Sequence, residues 1–201
     1  MSSHVRADLE ARFPGVLLPD AEVRDGIPTF WVDRTRFAEV LRFLKAEIAK
    51  PYPLLYDLFV IDERMRAEPT TPEPDTEYTV VYHLLSFDRN EDIRIKVAVD
   101  PACAIDSIFA LWPSANWYER EAWDMFGVTF NGHPNLRRIL MPNTWIGHPL
   151  RKDHPARATE IEPFQLPDEK LQREQEAMAF RPEEWGLSRG TEEFDYLFLN
   201  L

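Results

Sequence analysis

The sequence predicts an α+β fold: a two-layer domain with a mixed or antiparallel sheet covered by helices, followed by a long extended C-terminal arm. Three observations support this class. A helical apolar face follows a short strand, two β-rich segments flank a polar turn, and prolines interrupt the chain every few residues from about residue 142. We therefore divide the chain into a lead-in over residues 1–19, a domain over 20–141 and an arm over 142–201.

The domain begins with a short strand and a helix. Residues 26–32 (GIPTFWV) form an apolar run rich in β-formers, with Pro28 near its start, where a missing N–H is tolerated. Asp33 is the expected N-cap of the helix that follows. Its apolar residues recur at the spacing of one helical face, namely Phe37, Val40, Leu41, Leu44 and Ile48. Pro51 and Pro53 end this helix.

Three β-rich segments come next. Residues 54–61 (LLYDLFVI) are typical of a buried strand, and a surface loop over 64–75 separates them from the segments 76–87 and 93–99. The turn between the last two segments, DRNED, predicts an antiparallel hairpin. In the final strand four apolar residues face the core and two basic residues face water. The apolar residues are Ile93, Ile95, Val97 and Val99, and the basic ones are Arg94 and Lys96.

A short helix over residues 107–112 is predicted next, because Asp106 is placed to cap it and Pro113 ends it. Two short strand-like runs follow further along the chain, at residues 128–130 and 136–141.

Between these elements the sequence predicts a longer helix. Asn116 is its expected N-cap, with Glu119 three residues later in a relaxed capping box, and Gly127 is its expected left-handed C-terminal residue. Arg120 and Asp124 are four residues apart and are expected to pair on its exposed side.

The arm has little apolar periodicity and is predicted to be extended. It contains one polar helix, at residues 168–180, and ends on the dense apolar run 194–201. An apolar end of this kind needs a surface to cover it.

Composition excludes several classes of protein. The net charge is −12, which disfavours nucleic acid as the partner of the whole chain. The single cysteine cannot form an internal disulfide or supply a four-cysteine cluster, and neither GxGxxG nor GxxxxGK[ST] occurs. Neither a secretory signal nor a membrane-spanning apolar run is expected from the sequence.

One segment has a positive net charge although the chain as a whole is acidic. Residues 131–158 carry a net charge of +4, whereas residues 1–130 carry −9 and residues 159–201 carry −7. We call residues 131–158 the basic strip. Its basic residues are Arg137, Arg138, Arg151, Lys152 and Arg157. Three roles remain open for them: contact with an acidic partner surface, pairing with the chain's own carboxylates, or binding of a small anion.

The histidines of the strip permit two interpretations. His133, His148 and His154 each precede a proline, and their spacing matches no common zinc motif. Turns in which the ring bonds to nearby backbone fit this pattern better than metal ligation. The remaining candidates for chemistry, Glu119 and Asp124, are explained by the capping and pairing described above. Trp117, Trp123, Phe126 and Cys103 are assigned to the core.

The densest part of the sequence carries a family resemblance. Residues 118–140 (YEREAWDMFGVTFNGHPNLRRIL) and 147–153 (GHPLRKD) resemble the C subunit of proton-translocating NADH:quinone oxidoreductase, the 30 kDa subunit of respiratory complex I. Further resemblance extends across most of the chain, from Gly26 to Gly186. Residues 155–201 resemble the form in which the C and D subunits are one fused polypeptide.

The resemblance implies a structural or assembly subunit of the hydrophilic arm, on the cytoplasmic face of the bacterial inner membrane. Such a subunit belongs to an enzyme complex without being catalytic itself, and binds no redox cofactor. FMN and iron–sulfur clusters are expected in partner subunits, and its partners are the D (49 kDa) subunit and the iron–sulfur subunits near the quinone site. Membrane contact is expected to be indirect. The expected partner interface is His133, Arg137, Arg138, His148, Arg151, Lys152, Arg157, Phe198, Leu199 and Leu201.

Two alternative functions remain open at this point. One is a small hydrolase using His133 with Glu119 or Asp124, and the other is an anion-binding module using the basic strip. The subunit hypothesis predicts that Arg137→Glu with Arg138→Glu leaves the domain folded but impairs assembly.

Overall fold

The computed structural model describes residues 2–19, 25–65, 76–100 and 104–155 of the chain. In chain order, the elements are α1 (Ser2–Arg12), β1 (Thr29–Trp31), α2 (Phe37–Arg42), a π-helical turn (Phe43–Glu47), β2 (Leu54–Asp62), β3 (Tyr78–Ser86), β4 (Glu91–Val99), β5 (Ile105–Asp106), α3 (Ala115–Phe126) and β6 (Phe130–Asn131). All of them belong to the unit Met1–Glu162, and the second unit, Pro163–Leu201, lies outside the described residues. The predicted polar helix 168–180, the apolar end 194–201, Cys103 and most of the predicted loop 64–75 also lie outside them.

Four strands form a mixed sheet in the order β1-β4-β3-β2. β1 runs parallel to β4, whereas β4 with β3 and β3 with β2 are antiparallel. The predicted hairpin is confirmed, because β3 and β4 pair from Tyr78↔Val99 to Ser86↔Glu91. Asn90 in its turn has a positive φ of 49°, which Asn adopts more readily than most residues. A mixed sheet with helices packed against it confirms the predicted α+β class.

One face of the sheet carries the core. The four alternating apolar residues of β4 are fully buried, as their pattern predicts: Ile93, Ile95, Val97 and Val99. On the same face Phe37 of α2 stacks on Tyr82 of β3, with ring centroids 5.7 Å apart. Ala115 and Ala122 of α3 belong to the same hydrophobic cluster. The helices α2 and α3 therefore contribute to a single core.

The lead-in contributes a helix that was not predicted from the sequence. α1 places Val5 and Leu9 one turn apart, and both are fully buried in the core cluster, as Phe13 nearly is. These three apolar positions lie among charged and polar residues, which gives the segment a weak apolar pattern. The division into residues 1–19, 20–141 and 142–201 stays a prediction, but apolar residues of the lead-in share the core of the domain.

The predicted start of α2 was wrong. The helix begins at Phe37 with Arg36 in the N-cap position, and no side chain caps it. Asp33 instead accepts hydrogen bonds from the backbone N–H (2.7 Å) and the hydroxyl of Thr35, which forms a turn before the helix. The end of the helix also differs, because Ile48 N donates to Phe43 O (2.9 Å) across a wider π-helical turn.

Two further predictions in the second half of the domain were wrong. Residues 107–112 form a single turn rather than a helix, in which Leu111 N and Trp112 N both donate to Ile108 O. Residues 136–141 form no strand, and the N–H groups of Ile139, Leu140 and Met141 bind the Asp124 carboxylate instead of a neighbouring strand. The strand predicted near 128–130 is short: β6 pairs in parallel with β5, Ile105 opposite Phe130.

Candidate functional site

α3 is the element on which the predicted site residues converge. It ends as predicted at Gly127, which has φ 81° and donates its N–H to Trp123 O at 2.8 Å. Its start differs, because Ser114 is the N-cap and Asn116 is the second residue of the helix. Trp117, assigned to the core from sequence, is 64% exposed.

Glu119 has a buried role instead of the predicted capping role. Its Oε2 accepts a hydrogen bond from the Ser107 hydroxyl (2.6 Å) and its Oε1 accepts one from Ile108 N (2.7 Å). Burial raises the pKa of Glu119 to about 7, against the lowering effect of these two bonds. The carboxyl group therefore holds the turn after β5 against α3.

His133 has the backbone-bonded role predicted for a histidine before proline. Its Nδ1 accepts from Asn135 N at 3.1 Å, so the neutral ring carries its proton on Nε2. Nε2 lies 3.3 Å from Asn116 O and 3.9 Å from Glu119 Oε2. Burial lowers the pKa of His133, which keeps the ring neutral.

This geometry does not favour the hydrolase hypothesis. The side chains of Glu119 and His133 are both fully buried, so a substrate has no access to either. Asp124 is fully buried as well, and its oxygens have other partners.

Asp124 organises the chain that follows α3. Its Oδ2 accepts three successive backbone N–H groups, from Ile139 (3.0 Å), Leu140 (2.9 Å) and Met141 (2.9 Å). Its Oδ1 accepts from Arg138 Nη1 at 2.6 Å. Burial alone would raise the pKa of Asp124, but these donors outweigh it and hold the pKa below its usual value. The predicted pair of Asp124 with Arg120 was therefore wrong.

Arg120 and Arg138 both bind backbone carbonyl groups of the same segment. Arg120 donates to Arg137 O and Arg138 O, each at 3.1 Å. Arg138 Nη2 donates to Trp145 O and Gly147 O, each at 2.9 Å. Three roles were left open for the basic strip. Arg138 has the second of them, because it pairs with a carboxylate of the chain itself, that of Asp124.

The strip also caps the C-terminal end of α3. His148 Nδ1 lies 3.0 Å from Asp124 O, Leu150 N donates to Met125 O at 3.1 Å, and Arg151 Nε donates to Phe126 O at 2.6 Å. These groups satisfy carbonyls that a helix leaves unpaired at its end, and the guanidinium of Arg151 complements the helix dipole. Burial lowers the pKa of His148, so it acts as a neutral donor.

A second junction fixes the strip to the end of β2. Asp62 Oδ2 accepts from Lys152 N at 2.8 Å, and Arg64 Nη1 binds Asp153 Oδ2 at 2.8 Å. Arg64 also pairs with Asp62 and lies over the Tyr78 ring, 5.2 Å from its centroid. Residues 152–153, which were predicted to lie in an extended arm, are thus bonded to the domain.

The predicted interface residues fall into three groups. The side chains of Arg138, Arg151, His133 and His148 bind groups of the chain itself, as described above. Arg137 and Lys152 are exposed. Arg157, Phe198, Leu199 and Leu201 lie outside the described residues. An interface role for all of these residues stays a prediction.

Three exposed apolar residues of the strip were not predicted from the sequence. Ile146 is 87% exposed, Leu140 59% and Leu150 51%. One signal was available: these residues occur in a stretch without helical or strand periodicity, so no regular face can bury them together. Asp62 was not predicted either, because its role depends on a contact 90 residues away.

Metal ligation and membrane crossing find no support in the described part of the chain. Among the described residues, no three His, Cys, Asp or Glu side chains are grouped so that they could hold a metal ion. Over the same ranges, no helix combines the length and apolarity needed to cross a membrane.

Comparison with known proteins gives consistent matches. The family described as respiratory-chain NADH dehydrogenase, 30 Kd subunit, matches residues 30–160. The chain is 56% identical over 94% of its length to a protein of Methylococcus capsulatus that is named as the C/D subunit of NADH-quinone oxidoreductase. It is 51% identical over 100% of its length to the protein of that name from Nitrosospira multiformis. It spans 32% and 34% of these two relatives.

A solved structure shares the fold. It comes from a membrane-bound sulfane sulfur reductase, an archaeal respiratory membrane complex. The similarity covers 96% of both chains with a TM-score of 0.54 and 21% sequence identity. This likeness concerns the fold alone.

Proposed function

The chain belongs to the 30 Kd subunit family of respiratory-chain NADH dehydrogenase, and from this membership we propose that it is a non-catalytic structural subunit of a proton-translocating NADH:quinone oxidoreductase. The observation that carries the proposal is the 56% identity over 94% of the chain to a C/D protein of that enzyme. In this role the chain supports electron transfer from NADH to quinone while the redox groups, FMN and iron–sulfur clusters, are held by other subunits.

The use of the polar side chains supports a structural role. Glu119 and Asp124 were the carboxyl groups considered for acid–base chemistry from the sequence. Both bind backbone N–H groups of this chain. Arg138 and Arg151 bind its carbonyl groups. The buried polar groups of the site therefore shape a surface rather than leaving a reactive group open to a substrate.

The proposed partners follow from the relatives. Those relatives are named as C/D proteins and are about three times as long as this chain. We propose that residues 1–201 are the C part of such a fused polypeptide, adjoining a D-type domain. Iron–sulfur subunits near the quinone site are its further partners, and the assembly lies peripherally on the cytoplasmic face of the inner membrane.

Affinity purification tests the membership in the complex. The full natural polypeptide containing these residues is tagged and purified from detergent-solubilised membranes. We expect it to co-purify with D-type and iron–sulfur subunits and with NADH:quinone activity. A polypeptide that purifies alone, without that activity, would overturn the proposal.

Three further measurements test the finer points. The absorbance spectrum of the purified 201-residue chain should show no flavin and no cluster; either group bound at one per chain would contradict a non-redox role. Sequencing the reading frame after Leu201 should reveal a D-like coding region, and a stop codon there would refute the fusion. Protease should digest the polypeptide in inverted but not in right-side-out vesicles.

A further inference from the structure

The strip presents apolar side chains to water on one segment, residues 139–150, which we call the anchor loop. Leu140, Ile146 and Leu150 are all more than half exposed. Single exposed apolar residues are ordinary on protein surfaces, but several within a short loop mark an interaction site. Burial of such a side chain is worth about 1.5–3 kcal/mol, so a partner that covers all three gains substantial binding energy.

The backbone of the anchor loop is held at each of these positions. Leu140 N donates to Asp124 Oδ2 at 2.9 Å. Ile146 lies between Trp145 and Gly147, whose carbonyls are both bound by Arg138 Nη2 at 2.9 Å. Leu150 N donates to Met125 O at 3.1 Å.

The exposed side chains are therefore presented by a pre-organised backbone. A buried ion pair, Asp124 with Arg138, fixes the shape of a loop whose own apolar side chains contribute little to the core. Pre-organisation lowers the entropy lost on binding, because the loop has few conformations to give up.

The charges beside the anchor loop indicate the chemistry of the partner. Arg137 precedes the loop and Lys152 follows it, and both are exposed. The neighbouring carboxylate of Asp153 is bound by Arg64. Exposed charge at this place is therefore mainly positive, in a chain with a net charge of −12. Such a rim complements carboxylates on a partner.

From this arrangement we propose that the anchor loop docks another subunit of the complex, at an apolar surface of that subunit ringed by Asp and Glu. The inference rests on the proposed function and adds to it the place of contact and the chemistry of the partner. A protein partner fits better than an anionic membrane, because two exposed cations give only about 2 kcal/mol of lipid attraction and the rest of the chain is acidic. A different subunit also fits better than a second copy of this chain, because two copies with a net charge of −12 each would repel one another.

The test uses the full polypeptide, expressed in place of the wild type, with Ile146→Asp and Leu150→Asp. Intact complex is measured by native electrophoresis and by co-purification of the other subunits. We expect at least a tenfold loss of assembled complex, because two carboxylates replace apolar anchors and face an acidic rim. The matched control is Met65→Asp with Phe87→Asp, since both side chains are 76% exposed and lie outside the anchor loop.

Several outcomes would overturn the inference. One is normal assembly of the anchor-loop variant while the wild type co-purifies with the complex; another is an equal loss in the control variant. If the Asp pair lowers the abundance of the polypeptide itself, Ile146→Ser with Leu150→Ser replaces it and should still reduce assembly several-fold. Failure of the wild type to co-purify would instead refute the proposed function.

A second pair of variants tests the charged rim. Arg137→Ala with Lys152→Ala should weaken assembly several-fold at low salt and much less at high salt, because exposed charge pairs are screened. Equal losses at both salt concentrations would contradict the acidic rim. Binding of the polypeptide to phosphatidylglycerol vesicles, or a dimer seen by light scattering, would overturn the inference if the Ile146→Asp, Leu150→Asp pair abolished it.

Discussion

At the scale of single residues, two buried carboxyl groups of α3, Glu119 and Asp124, have different electrostatic surroundings and opposite pKa shifts. Asp124 accepts three backbone N–H groups and one guanidinium N–H, which stabilise its charged form. Glu119 accepts only a hydroxyl and one N–H, so burial dominates and the neutral form is favoured. Both groups stabilise contacts of α3, but they respond to pH in opposite directions.

Asp124→Asn should destabilise the chain by about 3 kcal/mol, since Arg138 would be left without its buried partner. The Asn side chain also replaces one accepting oxygen with a donor. Urea denaturation at pH 7 measures the change. Asp153→Asn is the control, because that carboxylate is 62% exposed and its loss should change stability by less than about 1 kcal/mol. Equal effects of the two changes would contradict the role of Asp124.

Glu119→Gln should make the stability of the chain less dependent on pH near neutrality. The folded pKa of Glu119 is raised from 4.5 to about 7, so the folded state holds a proton that the unfolded state releases over this range. Stability linked to that proton is complete below pH 4.5 and declines as the pH rises to about 7. Urea denaturation at pH 5 and pH 8 should show a smaller decline in the variant than in the wild type. An identical decline in both proteins would refute the assignment.

At the scale of elements, the C-terminal end of α3 combines a conformational requirement with close packing. Gly127 has φ 81°, a value that residues with a Cβ rarely adopt. A Cβ built there would also overlap Arg151 Nη2 and would lie 2.7 Å from His148. The end of the helix and the residues that cap it therefore fit together only with glycine at this position.

Gly127→Ala should destabilise the chain more than Gly132→Ala, and thermal unfolding measures both. Each glycine has a positive φ, 81° and 74°, so each substitution carries a backbone penalty of about 1 kcal/mol. A Cβ at Gly132 meets no atom within 4 Å, whereas a Cβ at Gly127 meets two capping side chains. The difference between the variants isolates the clash, and a zero difference would show that Arg151 and His148 move aside freely.

The contacts of Arg138 revise the effect that was expected from reversing the charges of Arg137 and Arg138 together. Arg138→Glu places a second carboxylate beside buried Asp124 and should unfold the domain, whereas Arg137→Glu, at an exposed position, should leave it folded. Circular dichroism of the two single variants distinguishes these outcomes. A folded Arg138→Glu variant would mean that Asp124 is held by its backbone donors alone.

Elements with a strong local period could be predicted from the sequence, and long-range partners could not. The alternation in β4 and the positive-φ glycine after α3 are local signals, and both predictions are confirmed. Asn116 matched a capping motif, but Glu119 is bound by Ser107 and Ile108, eleven or twelve residues earlier in the chain. Asp124 matched a helical pair with Arg120, but it binds a guanidinium and three N–H groups from beyond the helix, because a buried carboxylate needs hydrogen-bond donors to offset its desolvation.

The same limit applies to the candidate site. Residues 131–158 were singled out by their charge, and their basic side chains were expected to face a partner. Arg138 and Arg151 turned inward because backbone carbonyls at the end of α3 and in the anchor loop needed donors. Net charge does not record which side chain satisfies which carbonyl, so these inward contacts could only be found in three dimensions.

At the scale of the whole molecule, two aspartates link separate parts of the domain through the strip. Asp62 binds Lys152 N from the end of β2, and Asp124 binds residues 139–141 from α3. Hydrogen bonds outweigh burial at both groups, so each pKa lies below its ordinary value of 3.8. The stability that they contribute is present above pH 3.8 and is lost as the pH falls through the lowered values.

Acid denaturation tests this link. Wild-type stability should fall as the pH drops from about 4 toward 2, and the difference between wild type and Asp62→Asn should shrink over the same range. Intrinsic tryptophan fluorescence follows the transition, since Trp123 and Trp145 lie next to rings of the strip. A difference that stays constant across this range would show that Asp62 does not titrate with unfolding.

The junction of Asp62 and Arg64 with residues 152–153 has a practical consequence for measurement. Lys152 N and the Asp153 carboxylate are bonded to Asp62 and Arg64 at the end of β2, so the exposed residue Lys152 has a defined position on the domain. A spin label placed there through a cysteine would tumble with the domain, and a label on a neighbouring subunit would then yield a distance with a rigid origin. The position of this point within a larger assembly becomes measurable by triangulation from labels on several neighbouring subunits.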